Sequence, residues 1–212
     1  MDKKFTEQES LAVIGEMIDR ARNNVQKGSA NSLIYYGYAV ALVAMLNYIL
    51  LQALDDKNMS FAVWYLMIPL AIAGHFLKRK LDRSAIVKTH IDGIIACIWK
   101  GFSVSIIALI IILFSMAYFD PYTTEHSWIY LSLITPMVMI MTAMAEFGMA
   151  KACRYRPFYW GAIFFWTGAL LCLLSYVVLK KGDVQFIILA VCMIAGFVIP
   201  GYSLNKKAKQ NV

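Results

Sequence analysis

Residues 93–119 read Gly93-Ile94-Ile95-Ala96-Cys97-Ile98-Trp99-Lys100-Gly101-Phe102-Ser103-Val104-Ser105-Ile106-Ile107-Ala108-Leu109-Ile110-Ile111-Ile112-Leu113-Phe114-Ser115-Met116-Ala117-Tyr118-Phe119, with Lys100 as the single charge. A hydrocarbon layer about 30 Å thick takes about 20 apolar residues in a helix, so this stretch is long enough to cross a bilayer. It follows a basic run, Lys78-Arg79-Lys80-Leu81-Asp82-Arg83, and the polar passage Thr89-His90-Ile91-Asp92. Small residues recur at every fourth position, Gly93, Cys97, Gly101 and Ser105. Such a ridge lets a neighbouring helix approach closely where hydrophobicity gives no help. We therefore expect this third span to be central to the fold.

Working outward, the same kind of run recurs. The 212 residues are 60% apolar and only 16% charged, and the mean hydropathy is +0.62. Apolar runs fall at 32–54, 61–77, 93–119, 128–150, 158–179 and 184–204. The fold class expected is all-α, a polytopic membrane protein with six transmembrane helices as three hairpins, preceded by a cytoplasmic amphipathic helix. The expected divisions are a leader at 1–31, a transmembrane domain at 32–204 and a basic cytoplasmic tail at 205–212. Pro69, Pro136 and Pro200 each sit in the second helix of a hairpin, which fits either tandem duplication or three independent helix breaks.

Orientation follows from where Lys and Arg lie. With the N-terminus inside, cytoplasmic segments hold sixteen of them, and the outer turns hold only Lys57, Lys180 and Lys181. Both termini are expected in the cytoplasm and the protein in the bacterial inner membrane, with the lipid bilayer as its first partner. The net charge of +7 sits at helix ends, so direct nucleic-acid binding is not expected. The leader lacks an early apolar core and a small-residue cleavage site, so it does not read as a signal peptide.

The leader has its own logic. Thr6-Glu7-Gln8-Glu9 is a capping box, in which the Thr6 hydroxyl and the Glu9 carboxylate satisfy orphan amides reciprocally. Leu11, Ile14, Ile18, Ala21 and Val25 follow at helical spacing and form one narrow apolar seam. Acids precede bases along it, matching the helix dipole, and Gly28 is a natural stop. The segment carries five acids and five bases and no bulky aromatic on the seam. A membrane-surface helix is usually more basic and more aromatic. The seam is therefore expected to dock on protein: a second copy as homo-oligomer, a cytoplasmic protein partner, or the ends of its own bundle.

Polar groups inside the spans are the candidates for chemistry. Lys100 lies about 10 Å past Gly93, and Glu146 about 7 Å before the basic turn Lys151-Ala152-Cys153-Arg154, at 1.5 Å per residue. A lysine stem leans toward its helix N-terminus, so the two heads could meet as a buried ion pair or gate. The competing reading is a Lys100 that snorkels to headgroups and a Glu146 that is protonated or hydrogen-bonded. His75, His90 and Asp92 form a candidate polar cluster at the same membrane face. His90 and Asp92 are two apart and face different ways on a helix, so no metal site is expected. Neither histidine is deep enough for a haem, and no cofactor is expected.

Catalytic patterns fail on inspection. Gly101-Phe102-Ser103 opens like an intramembrane serine site but lacks the following glycine and a deep histidine base. HExxH, P-loop and dinucleotide fingerprints are absent. The cysteines Cys97, Cys153, Cys172 and Cys192 fall singly, which argues against a disulfide framework or a zinc site. The protein is not expected to be an enzyme.

One resemblance bears on role. Glu9-Ser10-Leu11 through Ile14, Met17-Ile18 and Ala21-Arg22-Asn23, then Thr89-His90-Ile91-Asp92-Gly93-Ile94-Ile95 with Trp99 and Phe102, and Arg156-Pro157-Phe158 with Gly161 and Trp166, resemble small six-span membrane proteins of Bacteroidetes-type bacteria. Genes of that family often sit beside a winged-helix regulator, which implies a membrane partner for a cytoplasmic protein. The family implies no biochemical activity. The functional expectation is a non-enzymatic membrane partner or sensor acting through its N-terminal helix. The alternative is a small-molecule or ion transporter, or a substrate-binding transport subunit, with a polar site near the cytoplasmic side.

Overall fold

Prolines and glycines shape what is otherwise continuous helix. The computed structural model describes residues 7–54, 57–82, 90–119, 124–179 and 182–210, and over 7–29 only positions 13 and 15 are described beyond the backbone. The described residues form α1 (Glu7–Ala53), α2 (Lys57–Phe61), a 3-10 turn (Ala62–Leu66), α3 (Met67–Asp82), α4 (His90–Phe119), α5 (Thr124–Cys153), α6 (Arg156–Leu179), α7 (Val184–Met193), a π segment (Ile194–Val198) and α8 (Ile199–Gln210), with no strand among them. Among the described residues six helical stretches are long and apolar enough to cross a membrane: Ala30–Ala53, Met59–Leu77, Gly93–Met116, Leu133–Cys153, Arg156–Val178 and Val184–Lys206.

The three prolines act differently. Pro69 cannot donate to the Tyr65 carbonyl, and the chain just before it tightens into the 3-10 turn, with Met67 N–H shared between the Trp64 and Tyr65 carbonyls. Pro136 is absorbed inside α5 without a break. Pro200 follows a π segment in which the Ile199 N–H reaches back to the Ile194 carbonyl. Three unlike local responses give no support to a repeated unit.

The leader is not a separate element. The expected stop at Gly28 is not made: α1 runs unbroken from Glu7 to Ala53. A glycine inside a helix costs only about 1 kcal/mol, and the turns beyond it are fixed by packing at Ala30, Leu33 and Ala41, all buried. The expected Thr6 cap lies outside the described residues, which begin at Glu7.

The third span is peripheral, which corrects the expectation that it is central. Helix α4 packs along α5 and reaches the π segment through Trp99, whose ring lies 5.8 Å from that of Phe197. Its buried positions are large ones, Ile95 and Leu113, with Ile98, Trp99 and Phe102 half-buried. The glycine that lets it approach belongs to α5, where a Cβ on Gly148 would lie 3.2 Å from Ile98 Cδ1. The ridge Gly93, Cys97, Gly101 and Ser105 is exposed instead. The centre is the last span: α7, the π segment and α8 lie between α1 and α6.

Polar latches fix this arrangement at both ends. Asn47 is fully buried, and its amide, oriented so that the nitrogen donates to the Ser60 carbonyl (3.0 Å), accepts from Trp64 Nε1–H (2.9 Å). Gln52 donates to Asp183, which also caps α7 by accepting from the Val184 N–H. At the opposite end, Asn205 donates to Asn31 (2.8 Å) and the Tyr155 hydroxyl to Ser203 (2.8 Å). The turn before Tyr155 is a Schellman motif: Tyr155 N–H bonds the Ala150 carbonyl and Arg154 N–H that of Lys151, with Arg154 at φ 50°. This turn sets α6 antiparallel to α5 and brings Gly161 opposite Glu146.

Candidate functional site

Helix α5 is lined where it meets its neighbours by small or flexible side chains, Ala143, Ala145, Met149 and Ala150, all buried. Among them Glu146 is fully buried, at 0% exposure, and neither carboxyl oxygen has a hydrogen-bond partner. A buried polar group without a partner is costly, and a buried charge without one far more so. Such a group needs a reason.

Its surroundings are defined by two glycines on other spans. A Cβ on Gly161 of α6 would collide with Glu146 Oε2 and lie 2.9 Å from the Gly196 carbonyl oxygen. The carboxyl and that carbonyl therefore converge on the same spot over Gly161. Gly196 belongs to the π segment, and its own missing Cβ is taken up by the Phe165 ring. In an unbroken α-helix its carbonyl would accept from residue 200, but Pro200 has no N–H. Two acceptors are thus brought onto one glycine, and the Glu146 oxygens have no hydrogen-bond partner.

The walls are apolar. Phe165 is fully buried and meets Phe197 edge-on at 5.3 Å, and Trp99 meets Phe197 from α4. The Trp99 Nε1–H donates to Met149 Sδ at 3.2 Å. On the far side of the π segment, a Cβ on Gly37 of α1 would lie 2.7 Å from Val198 Cγ2 and 3.1 Å from Phe197 Cβ. A π turn inserted in an α-helix is often a functional feature. Here it is held between α1 and the Glu146 side chain's glycine platform.

The expected Lys100–Glu146 pair is not formed. Lys100 is exposed, and the Glu146 oxygens have no partner. The reason is rotational: Trp99 turns inward to Met149, and the next residue points about 100° around the helix. Lys100 is left on the outer face, where its stem can carry the ammonium toward the headgroups.

The chain matches no protein-family model, no curated protein and no solved structure. The site is therefore read from its own geometry.

Of the expected polar cluster, His75 is exposed on α3, edge-on to Phe76 at 6.3 Å, while the side chains of His90 and Asp92 lie outside the described residues. So does the seam Leu11, Ile14, Ile18, Ala21 and Val25. Among the described residues no three His, Cys, Asp or Glu side chains gather as metal ligands. None of the four cysteines is in a disulfide; Cys172 and Cys192 are buried and Cys97 is exposed. Ser103 spends its hydroxyl on the Trp99 carbonyl, 2.8 Å away in its own helix. Reading the sequence found Glu146 but not its neighbours. One signal was present: Gly196 stands four residues before Pro200, which marks a carbonyl deprived of its helical donor.

Proposed function

We propose that the protein is a non-enzymatic multi-pass membrane protein that serves as membrane partner or sensor for a cytoplasmic protein, with its N-terminal helix as the output. In this reading it lies in the bacterial inner membrane with both termini in the cytoplasm and its spans arranged as three hairpins. The observation that carries the reading is the continuity of α1. One helix runs from Glu7 to Ala53, and its Gly37 is seated directly on Val198 and Phe197 of the π segment. A change in the shape of that segment would tilt or turn α1, and the leader would follow without a flexible joint. The resemblance to six-span proteins encoded beside winged-helix regulators points the same way.

The test separates the leader from the bundle. Gln26→Pro breaks the helix outside the membrane-length stretch, and deletion of residues 1–27 removes the output altogether. A soluble protein that co-purifies with the full chain should be lost with the deletion and weakened by the proline. Retention of that partner by the bundle alone would contradict the reading.

A second reading, ion or small-molecule transport, is favoured by the Glu146 site, since unpaired intramembrane carboxyls mark ion and proton routes. Ligand-dependent stabilisation of the purified protein with no loss on leader deletion would support it instead.

A further inference from the structure

We infer that Glu146 is a proton-binding site, its carboxyl O–H donating to the Gly196 carbonyl across Gly161. The inference deepens the sensor reading by naming its input, but the site stands on geometry alone. Oε2 and the Gly196 carbonyl oxygen both close on the spot that a Cβ of Gly161 would occupy. Two acceptors crowded onto one glycine in an apolar setting call for something positive to share. The groups at hand decide what that is. Among the described residues no basic side chain reaches the carboxyl, whose two oxygens have no hydrogen-bond partner. Hard metal ions such as calcium take about 6–8 oxygen ligands, whereas this site brings together a carboxyl and one carbonyl. A proton needs only the donor and the acceptor that are present.

The reaction is simple. A proton from water adds to the carboxylate, forms the O–H bond that donates to the Gly196 carbonyl, and returns to water on release. No other bond is made or broken. Release leaves a carboxylate against a carbonyl oxygen and without a donor, so the π segment and the carboxyl must move apart or admit water.

Among the described residues no other ionisable group explains the site. On α4, Cys97 and Lys100 are exposed; on α5, Lys151 is exposed and lies 6.0 Å from the Tyr159 ring centroid. On α6, Arg156 is exposed, Tyr159 packs on Phe147, and Cys172 is directed to Met139 and the Gln185 carbonyl. On α7, Cys192 donates to the Phe164 carbonyl, and residues 194–198 contain no titratable side chain. None of these groups supplies Glu146 with a hydrogen bond.

Infrared difference spectroscopy on the full chain in lipid nanodiscs tests the assignment, with pH stepped across the range of about 5 to 9 reached by buried carboxyls. The expected result is a carboxylic-acid C=O band that is absent in Glu146→Gln and disappears reversibly as pH rises. Its midpoint should be the same in sodium and in choline salts. Should the Gln variant fail to fold, Glu146→Asp serves: the shorter acid pulls back from Gly196 and its band should move to higher frequency. Absence of the band at every pH, a band that never titrates, or a midpoint that follows sodium would each overturn the assignment. The output is read separately as a spin-label distance between Val13→Cys and Lys206→Cys, with Cys97 and Cys153 replaced by Ser. A band that titrates while the distance stays fixed leaves the proton site standing and removes the sensor reading. A distance that changes with pH without any Glu146 band does the reverse.

Discussion

The most apolar 18-residue windows of the third and sixth membrane-length helices have the same mean hydropathy, 2.3, yet 61% of the window in Val184–Lys206 is buried inside the protein against 6% of that in Gly93–Met116. Apolarity therefore says that both are helices in lipid and nothing about which is inside. The difference lies in what their small residues meet. Gly196 touches Phe165, and its carbonyl adjoins Gly161 and Glu146, while Gly93 and Gly101 face open space. Lipid tails are as apolar as leucine, so close packing and satisfied polar groups choose the centre.

That contrast can be broken first at Gly161. Gly161→Ala drives a Cβ into Glu146 Oε2 and toward the Gly196 carbonyl, and overpacking of this kind costs about 1–3 kcal/mol. Thermal unfolding in detergent should show a clear loss; an unchanged midpoint would mean the three groups do not meet. Asn47→Ala comes next, since it strips the Trp64 indole N–H of its acceptor. Leaving such groups unsatisfied costs about 1–3 kcal/mol, and the same unfolding assay should register it. The tight α5–α6 turn that places Gly161 supplies a gain instead. Arg154 holds φ 50° without being glycine, so Arg154→Gly should add about 1 kcal/mol. The smallest effect belongs to the outer helix. Gly101→Ala meets nothing within 4 Å and should stabilise by about 0.5–1 kcal/mol through helix propensity alone. A loss there would mean that the exposed ridge is covered by another helix.

How much could be read in advance follows the same line. The six spans and the all-helical class were legible because each is a long apolar run with charged ends. The inner order was not, since a ridge at every fourth position in 93–105 looks the same whether a helix or lipid lies against it. The continuity of α1 was not legible, because Gly28 reads as a stop and the packing at Ala30 and Leu33 that carries the helix through is tertiary. Glu146 stood out as a charge in an apolar span. Its partners are a glycine on the next span and a carbonyl on the last, and a single sequence does not pair backbone atoms across such distances.

The central claim is that Glu146 answers to Gly161 and the π segment, and not to Lys100. A pair of double-mutant cycles in detergent measures this directly. Shortening Glu146 to Ala should relieve part of the Gly161→Ala collision, giving a coupling within the range of about 0.5–3 kcal/mol typical of residues in contact. Combining Glu146→Ala with Lys100→Met should be additive to within about 0.5 kcal/mol. Strong coupling to Lys100 with none to Gly161 would contradict the account.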